Sequence, residues 1–544
     1  MAYANCRSCF AVALAFVILA IAGCSENTRE AEADRSHFLA PAEPLRAHYQ
    51  IDCVLDLARQ VQGKERITLT NTSALPLHRL ALDWALADAG GQLSSIRISE
   101  QPAQIIANLK RANGKVIQPL VLQLPQPLRP GQTLKLDVEF DLQRSVGDLA
   151  GTSITAADWY PRLWWGYPTH DDYSVSLQVP AHYLILTTGL HDPKTGRYEA
   201  KDVRSFGITI ADRNGCEILQ ANAGNVLVRC VVTPKGKPCG RLLLDAAVDV
   251  ISFDRNRFGF YPQPSLTIFP GMDEPMGGFP AATGMVGIHG MERMNEKPTS
   301  HWQWITAHEI GHQYWGEHVL EKDDPGWLWL GMGILLDRDY ARARALPPSI
   351  HQDFRQRYLA ALRDGHDTTM AIAPEKLKDR NQNVFDNAVL HGKSYALCST
   401  LGVLLGQPTF DRISRRCLHE FRGRRLGAAE FQRVCEEESG QDLSWFFTAW
   451  VLGSRSPDYE IVSRETTPQG TGFLTTVKVV CRGPMPLPIP VRVVFPGGTQ
   501  QTQITDRLVS ESTLQFTSQT PPREIQLDPD GLLPPAQPRT ASRE

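Results

Sequence analysis

The chain has 544 residues, of which 42% are hydrophobic and 21% are charged. This length exceeds what one hydrophobic core supports, so we expect a globular protein of about three or four domains. Lysine and arginine number 56 against 59 aspartates and glutamates, which leaves a formal net charge of -3. Because no basic stripe with interleaved aromatic residues is present, the composition argues against nucleic-acid binding.

The N-terminus has the pattern of an export signal. Arg7 precedes the apolar run Phe10–Ala22, which is short for a bilayer-spanning helix and is followed by a polar stretch. The run ends in Ile-Ala-Gly, a small-residue cleavage site directly before Cys24. An ordinary signal peptide or a short membrane anchor is the alternative, but the pattern closely resembles a bacterial lipoprotein signal.

This resemblance implies that residues 1–23 are removed and that the thiol of Cys24 carries lipid. Ser25 follows the cysteine, which in lipoproteins favours sorting to the outer membrane. We therefore expect an exported lipoprotein that faces the periplasm. No other segment is expected to cross a membrane, so membrane contact would occur through the lipid anchor only.

The next segments predict a tether and a β-sandwich. Residues 24–45 are polar and acidic, which is typical of a flexible tether. Residues 46–212 contain short alternating stretches between turn residues, such as 65–70, 133–140 and 173–177, as expected for the strands of a sandwich.

The remainder predicts a mixed domain and a second β-sandwich. Within residues 213–453 we expect strands at 226–232 and 266–269, a helix at 242–255, and mostly helices after Thr299. Alternating strands return in residues 454–534, and residues 535–544 form a tail that we expect to be disordered. The predicted fold class is therefore multidomain α+β.

One stretch carries the pattern of a metal site. His308 and His312 are four residues apart, so on a helix they lie on one face and can hold one metal ion together. Glu309 lies beside them and is suited to accept a proton from an activated water. Thr306 is the expected N-cap of this helix. The alternative is an ordinary solvated helix, because a bare His-Glu-x-x-His pattern also occurs without a metal.

The context of this stretch resembles a known family. Gln-Tyr-Trp-Gly follows His312, and Trp329-Leu330 comes later, similar to the segments His-Glu-x-x-His-Gln-Trp-Phe-Gly and Trp-Leu-Asn-Glu-Gly of the membrane alanyl aminopeptidase-type (gluzincin) zinc metallopeptidases. Further resemblance at 159–163, 393–405 and 443–450 extends it over about residues 46–533. It implies an N-terminal β-sandwich, a thermolysin-like mixed and helical catalytic domain, and a small C-terminal β-sandwich.

The resemblance also implies one zinc ion and a peptide or protein substrate. In the family, two histidines and a glutamate from the next helix hold the zinc, with water in the fourth position. The usual spacing leads here to Gly331, and alignment on Trp329-Leu330 leads, with one inserted residue, to Met332. Neither residue is a carboxylate. We therefore expect weak zinc binding through His308 and His312.

Two further positions depart from the family pattern. The family segment Gly-Ala-Met-Glu-Asn, whose glutamate binds the substrate amino terminus, corresponds to residues 277–281, which contain no acid. The family tyrosine that donates a hydrogen bond to the oxyanion aligns, through Lys393-Ser394, with His391. His391 could serve as that donor, or it could be a partly exposed histidine on an ordinary helix.

Two functions remain open at this point. The first is an active zinc peptidase with Glu309 as general base. The second is a non-catalytic descendant that binds peptides or a protein partner in the same cleft. The retained His-Glu-His set favours the first, and the missing glutamates favour the second; a purely structural lipoprotein would leave the motif without a role.

The remaining cysteines and charged residues suggest structural roles. Eight cysteines follow Cys24, and Cys216 with Cys230 is the most plausible disulfide if the chain turns at 222–224. Glu317 and His318 are expected on the surface, because helical spacing directs them away from the metal-binding face. The tryptophans around the motif are expected to pack in the core.

Overall fold

The computed structural model describes residues 45–56, 60–112, 115–142, 153–156, 159–271, 276–322, 326–371, 385–454, 459–482, 487–506 and 509–529. Cys24, the predicted signal peptide at 1–23, nearly all of the predicted tether at 24–45 and the predicted tail at 535–544 lie outside these residues. Their assignments stay predictions. Within the described residues the chain forms two compact units, one up to Lys322 together with Glu420–Arg425, and the other from the rest.

The first unit begins with a β-rich region. Alternation explains its strands: along residues 133–142, five apolar side chains point inward between exposed or half-exposed polar ones. A short 3₁₀ helix spans Ala85–Ala89. The strands in chain order are β1 (Ala47–Asp56), β2 (Gln60–Thr70), β3 (Leu77–Asp83), β4 (Gln92–Ile98), β5 (Gln101–Pro102), β6 (Gln104–Ala107), β7 (Lys110–Ala112), β8 (Lys115–Gln118), β9 (Leu120–Leu128), β10 (Thr133–Leu142), β11 (Ser153–Ala156), β12 (Arg162–Leu163), β13 (Asp171–Gln178), β14 (Tyr183–Thr187), β15 (Leu190–Asp192), β16 (Arg197–Val203) and β17 (Ile208–Asp212).

Two of the sheets share one hydrophobic core. An eight-stranded sheet has the order β15-β16-β13-β1-β2-β10-β4-β5, and a four-stranded sheet has the order β12-β3-β9-β6. Their buried side chains, among them Tyr49, Leu80 and Leu122, belong to a single cluster. This arrangement is the sandwich that the alternating pattern predicted. A smaller sheet, β11-β17-β14, and the pair β7-β8 complete the region.

The rest of the first unit combines a five-stranded sheet with two long helices. Its strands have the order β18-β19-β20-β22-β21, which makes β21 an edge strand among the described residues. Helix α2 contacts α1, β21 and β22. The elements are β18 (Glu217–Ala223), β19 (Val226–Val232), α1 (Lys237–Phe258), β20 (Ser265–Pro270), β21 (Gly278–Ala282), β22 (Met285–Ile288), a 3₁₀ helix (Met291–Glu296), α2 (Thr299–Tyr314) and β23 (Leu320–Glu321).

The predicted disulfide between Cys216 and Cys230 is wrong. The β18-β19 hairpin pairs Ala223 with Val226, and this register places Leu219 opposite Cys230. Cys216 therefore lies beyond the end of the ladder, and the two buried cysteines are not joined in a disulfide. None of the eight cysteines within the described residues forms a disulfide.

The second unit is helical and ends in two small sheets. The sheets have the orders β25-β26-β29 and β28-β27-β30, and apolar side chains of β26, β27 and β29 are buried. From residue 326 onward the elements are α3 (Trp327–Ala343), α4 (Ser349–Arg363), a π-helical turn (Phe385–Leu390), α5 (His391–Leu405), α6 (Gln407–Glu420), β24 (Arg425–Leu426), α7 (Ala428–Ser439), α8 (Ser444–Phe446), a second π-helical turn (Phe447–Val451), β25 (Tyr459–Gln469), β26 (Gly472–Cys481), β27 (Pro490–Val494), β28 (Gln500–Ile504), β29 (Glu511–Ser518) and β30 (Glu524–Leu527).

One helical segment of this unit is apolar enough to cross a membrane by composition. Ala388–Leu405 has 18 residues and a mean hydropathy of 1.2. However, 83% of this segment is buried inside the fold, which is the property of a core helix. The predicted α+β class is confirmed, with a β-rich N-terminal region followed by a mostly helical one.

Candidate metal centre

Helix α2 presents the His-Glu-His pattern from a buried position. The helix begins at Thr299, after the extended residue Pro298, and every residue from Ile305 to Tyr314 is buried. Tyr314 anchors its C-terminal end, because its hydroxyl donates to the carbonyl of Phe260 at 2.7 Å. The alternative of an ordinary solvated helix is therefore wrong.

The predicted cap at Thr306 is also wrong. Thr306 lies in the interior of the helix, seven residues after its start, and its hydroxyl donates to the carbonyl of Trp302 at 2.8 Å. Threonine side chains make this bond to the preceding turn inside helices. The helix begins after Pro298 with no side-chain cap hydrogen bond.

The two histidines converge on one point. Nε2 of His308 and Nε2 of His312 are 3.3 Å apart, and the two rings are nearly perpendicular at 84°. Two ligands of a tetrahedral zinc ion at about 2.0–2.1 Å from the metal are about 3.3–3.4 Å apart. The histidine pair therefore fits two ligand positions of zinc.

Glu309 lies against the edge strand of the sheet. It is 2% exposed, and Gly278 at the start of β21 is so close that a Cβ added there would lie 2.6 Å from Glu309 Oε1. Strand β21 pairs with β22 on one side, from Gly278 opposite Ile288 to Ala282 opposite Met285. The carboxylate therefore lies next to a backbone edge that an extended chain could pair with.

Aromatic rings continue along the same face of the helix. The ring of Trp304 lies 5.6 Å from that of His308, and the ring of His301 lies 5.7 Å from that of Trp304. Burial lowers the pKa of His301 to about 4. His301 is therefore neutral near pH 7, and no positive charge is added next to His308.

The part of the chain that the structure describes shows no third ligand of the usual kind beside the two histidines. Among the described residues, no three side chains of histidine, cysteine, aspartate or glutamate are grouped so that they could hold a metal ion. Gly331 and Met332, the positions expected to hold it, lie in helix α3. Gly331 packs against α5, where an added Cβ would lie 2.6 Å from Cys398 Sγ and 2.7 Å from the carbonyl oxygen of Ser394. Position 331 therefore has no room for any side chain, which leaves Met332 as the aligned position.

Comparison with known proteins identifies the family. Residues 286–450, which include α2 and the helices that follow it, match the Peptidase family M1 domain. The chain contains a divergent peptidase family M1 domain. Its coarse function is accordingly peptidase-like.

Solved structures and one curated relative extend this comparison. The M1 zinc metallopeptidase from Deinococcus radiodurans is similar in structure, with a TM-score of 0.54, 17% identity, and coverage of 76% of this chain and 95% of that chain. A mutant of that enzyme bound to a Tyr-Ser-Ala substrate is similar with a TM-score of 0.54, 16% identity and the same coverage. At these identities the similarity supports the fold alone.

A relative of another kind matches a shorter stretch. Protein ApaG of Bdellovibrio bacteriovorus is 25% identical over 126 residues, which are 23% of this chain and 74% of that protein. This match covers too little of the chain to define what the whole chain does.

His391 is the first residue of α5 in the second unit. It is half-buried, and its ring stacks on that of Phe354 with centroids 6.0 Å apart and planes 11° apart. Tyr395, one turn later, is buried and hydrogen-bonded to Arg338. The role of His391 as hydrogen-bond donor stays a prediction.

Glu317 and His318 are buried, so their predicted surface position is wrong. The helical spacing used for that prediction ends at Tyr314, because Trp315 is extended and Gly316 has a φ of 114°. The ring of His318 packs on that of Phe260 at 5.3 Å. Burial raises the pKa of Glu317, while the nearby Arg204 guanidinium lowers it.

Sequence reasoning missed the contacts that hold the β21-β22 turn against α2. The family motif includes Gln313, but the motif gives no contact for it, and no pattern singles out Thr283. In the structure Gln313 accepts a hydrogen bond from the N–H of Gly284, and Thr283 donates one to Glu317. The one available signal was the glutamine directly after the second histidine.

Proposed function

We propose that this chain hydrolyses peptide bonds at the His308–Glu309–His312 helix, with one zinc ion as cofactor and a peptide or protein as substrate. The main support is the 3.3 Å separation of the two Nε2 atoms, which suits two zinc ligands. A zinc ion held there would act as a Lewis acid toward the scissile carbonyl. With two histidines in place of the usual three protein ligands, we expect weaker zinc binding than is ordinary for the family.

The residues of the chain supply binding and proton transfer. An extended substrate would pair with the open edge of β21, as peptides do at exposed strand edges. Glu309 would accept a proton from the attacking water and return it to the leaving nitrogen. The buried position of Glu309 beside Gly278 places its carboxylate next to that edge.

Metal titration and a quenched peptide substrate test this proposal together. Wild type should bind zinc and cleave the peptide, and Glu309→Gln should retain zinc while cleavage falls by about 10²–10⁴-fold. His308→Ala should lose zinc binding. A wild-type protein that neither binds zinc nor cleaves peptides would refute the proposal.

The second candidate is a non-catalytic peptide-binding protein that uses the same strand edge. It is favoured by the missing third ligand among the described residues and by the absence of an acid in residues 277–281. This reading predicts that wild type and Glu309→Gln bind peptides equally well and that neither cleaves them. The same two assays therefore separate the two functions.

We also propose that Cys24 carries the lipid of an outer-membrane lipoprotein facing the periplasm. The support is the short apolar run that ends in Ile-Ala-Gly before Cys24. Replacing Cys24 with serine should release the protein from the membrane fraction. Unchanged membrane association of this variant would show that another segment anchors the chain.

A further inference from the structure

The turn between β21 and β22 is held by two side chains from the end of the metal-binding helix and the residues after it. The backbone N–H of Gly284 donates to Gln313 Oε1 at 2.6 Å. The hydroxyl of Thr283 donates to Glu317 Oε2 at 2.5 Å. Gln313 is fully buried and Glu317 is 7% exposed, so water competes little for either bond.

The same turn is held from its other side by the β-rich region. The hydroxyl of Thr188 donates to the carbonyl of Thr283 at 2.8 Å. The backbone N–H of Arg204 donates to the Thr283 hydroxyl at 3.1 Å, and its guanidinium lies 4.0 Å from Glu317 Oε1. Four hydrogen bonds from outside the hairpin therefore hold the Thr283–Gly284 turn.

Helix α2 touches this hairpin at two places one turn apart. Glu309 and Gln313 are four residues apart, so they lie on the same face of the helix. Glu309 contacts Gly278 at the start of β21, and Gln313 binds Gly284 just after its end. The bond at Gln313 therefore fixes where the strand lies relative to Glu309.

The pairing of β21 with β22 defines the position of β21 only weakly. Within the described residues the strand pairs on one side only. It contains Pro280, which has no N–H to donate, and its register shifts between Pro280 and Ala282. Prolines and bulges of this kind occur on edge strands and weaken the definition of register. A strand of this kind needs contacts from outside the sheet to keep a fixed position.

We infer that Gln313 and Glu317 are positioning residues that hold β21 in register against Glu309 through the Thr283–Gly284 turn. The inference rests on the proposed function only in that β21 receives the peptide. The fixed position of the strand is a property of the free protein. It can therefore be measured whether or not the chain cleaves anything.

Hydrogen exchange in β21 tests the inference directly. In Gln313→Leu, which removes the acceptor, the amides of Gly278, Phe279, Ala281 and Ala282 should exchange on the order of ten-fold faster or more than in wild type. Gln313→Glu keeps an oxygen at the same place and should restore slow exchange. Gln303→Leu, on the same helix, is the matched control and should leave the exchange of β21 unchanged.

Activity and zinc binding give the second readout. In Gln313→Leu we expect kcat to fall at unchanged zinc affinity, because the histidines are untouched, and Gln313→Glu should recover kcat. Should wild type not cleave peptides, the proposed function fails while the exchange measurement still stands. Wild-type exchange rates in β21 of a folded Gln313→Leu would overturn the inference.

A second variant covers the case in which Gln313→Leu does not fold. Thr283→Val keeps the shape of the side chain and removes the hydroxyl that binds Glu317. It should also accelerate exchange in β21. Unchanged exchange in this variant would equally overturn the inference.

Discussion

Gly278 and Glu309 are in such close contact that a single methyl group at position 278 would lie 2.6 Å from Oε1 and 2.7 Å from Cγ of the glutamate. No real Cβ sits at this distance, so Gly278→Ala must displace the carboxylate or the strand. A displacement of about 1 Å at a catalytic group can cost about 10²-fold in rate. We expect Gly278→Ala to lower kcat by about that factor at unchanged zinc affinity, measured with a quenched peptide and a zinc indicator.

The neighbouring glycine provides the control for this prediction. A Cβ added at Gly277 meets no atom within 4 Å, so Gly277→Ala should behave like wild type in both assays. Equal activity of Gly278→Ala and Gly277→Ala would mean that the position of Glu309 does not matter for turnover. Glu309 would then not be the general base.

A second prediction concerns Met332, the position that aligns with the third zinc ligand of the family. A thioether is a soft, neutral ligand that suits copper(I) better than zinc. A carboxylate at this position would supply both an oxygen ligand and negative charge, so Met332→Glu should tighten zinc binding and raise hydrolysis. Gly331→Glu should instead disrupt folding, because Cys398 Sγ and Ser394 already fill that space.

Met332→Gln is the matched control, because it has nearly the size of glutamate without the charge. Competitive titration of wild type and the two variants against a zinc indicator measures the effect. Equal zinc affinity in Met332→Glu and Met332→Gln would contradict the alignment that places Met332 at the third-ligand position. The one-residue insertion in the alignment with the family, which lies before Gly333, would then have to be moved to another position.

The pairing of His308 with His312 could be predicted because it depends only on the geometry of one helix. The strands could be predicted for the same reason, since alternation is a local property. Gly331 illustrates the limit: its close packing against Ser394 and Cys398 joins two helices that lie far apart in the sequence. No local pattern carries that information.

The errors have equally specific causes. The predicted pairing of Cys216 with Cys230 assumed a turn centred on Ala223, whereas the observed turn is centred between Gly224 and Asn225, and the register of a hairpin follows its turn. Glu317 was placed on the surface because helical spacing was continued past Tyr314, where the helix ends. Both errors concern where an element ends: the position of a hairpin turn in the first case and the end of a helix in the second.

The third prediction is that cleavage does not depend on a free substrate amino terminus. The segment that would bind it, residues 277–281, contains no carboxylate, and Pro280 stands where the family has glutamate. A buried ammonium group without a partner is costly. N-acetylation of matched peptides should therefore leave kcat/KM unchanged or raise it, and loss of cleavage on acetylation would contradict the prediction.

The fourth prediction concerns Glu65, a buried carboxyl in the sandwich core. It is 3% exposed on β2, and neither of its side-chain oxygens has a hydrogen-bond partner within the described residues. Its neighbours in the ladder are Ile51 on β1 and Val138 on β10. Burial therefore raises the pKa of Glu65 well above its ordinary value, and the folded protein keeps this group protonated.

This raised pKa should make the fold less stable as pH rises. Above about pH 4.3 the unfolded chain releases the proton while the folded chain retains it, so the free energy of unfolding falls by about 1.4 kcal/mol per pH unit until the folded pKa is reached. Glu65→Gln cannot ionise, so its unfolding free energy should lack this slope above about pH 4.3, whereas the exposed control Glu100→Gln should retain it. Denaturant unfolding of the first unit at several pH values measures both. Parallel pH dependence in wild type and Glu65→Gln would mean that Glu65 ionises in the folded state.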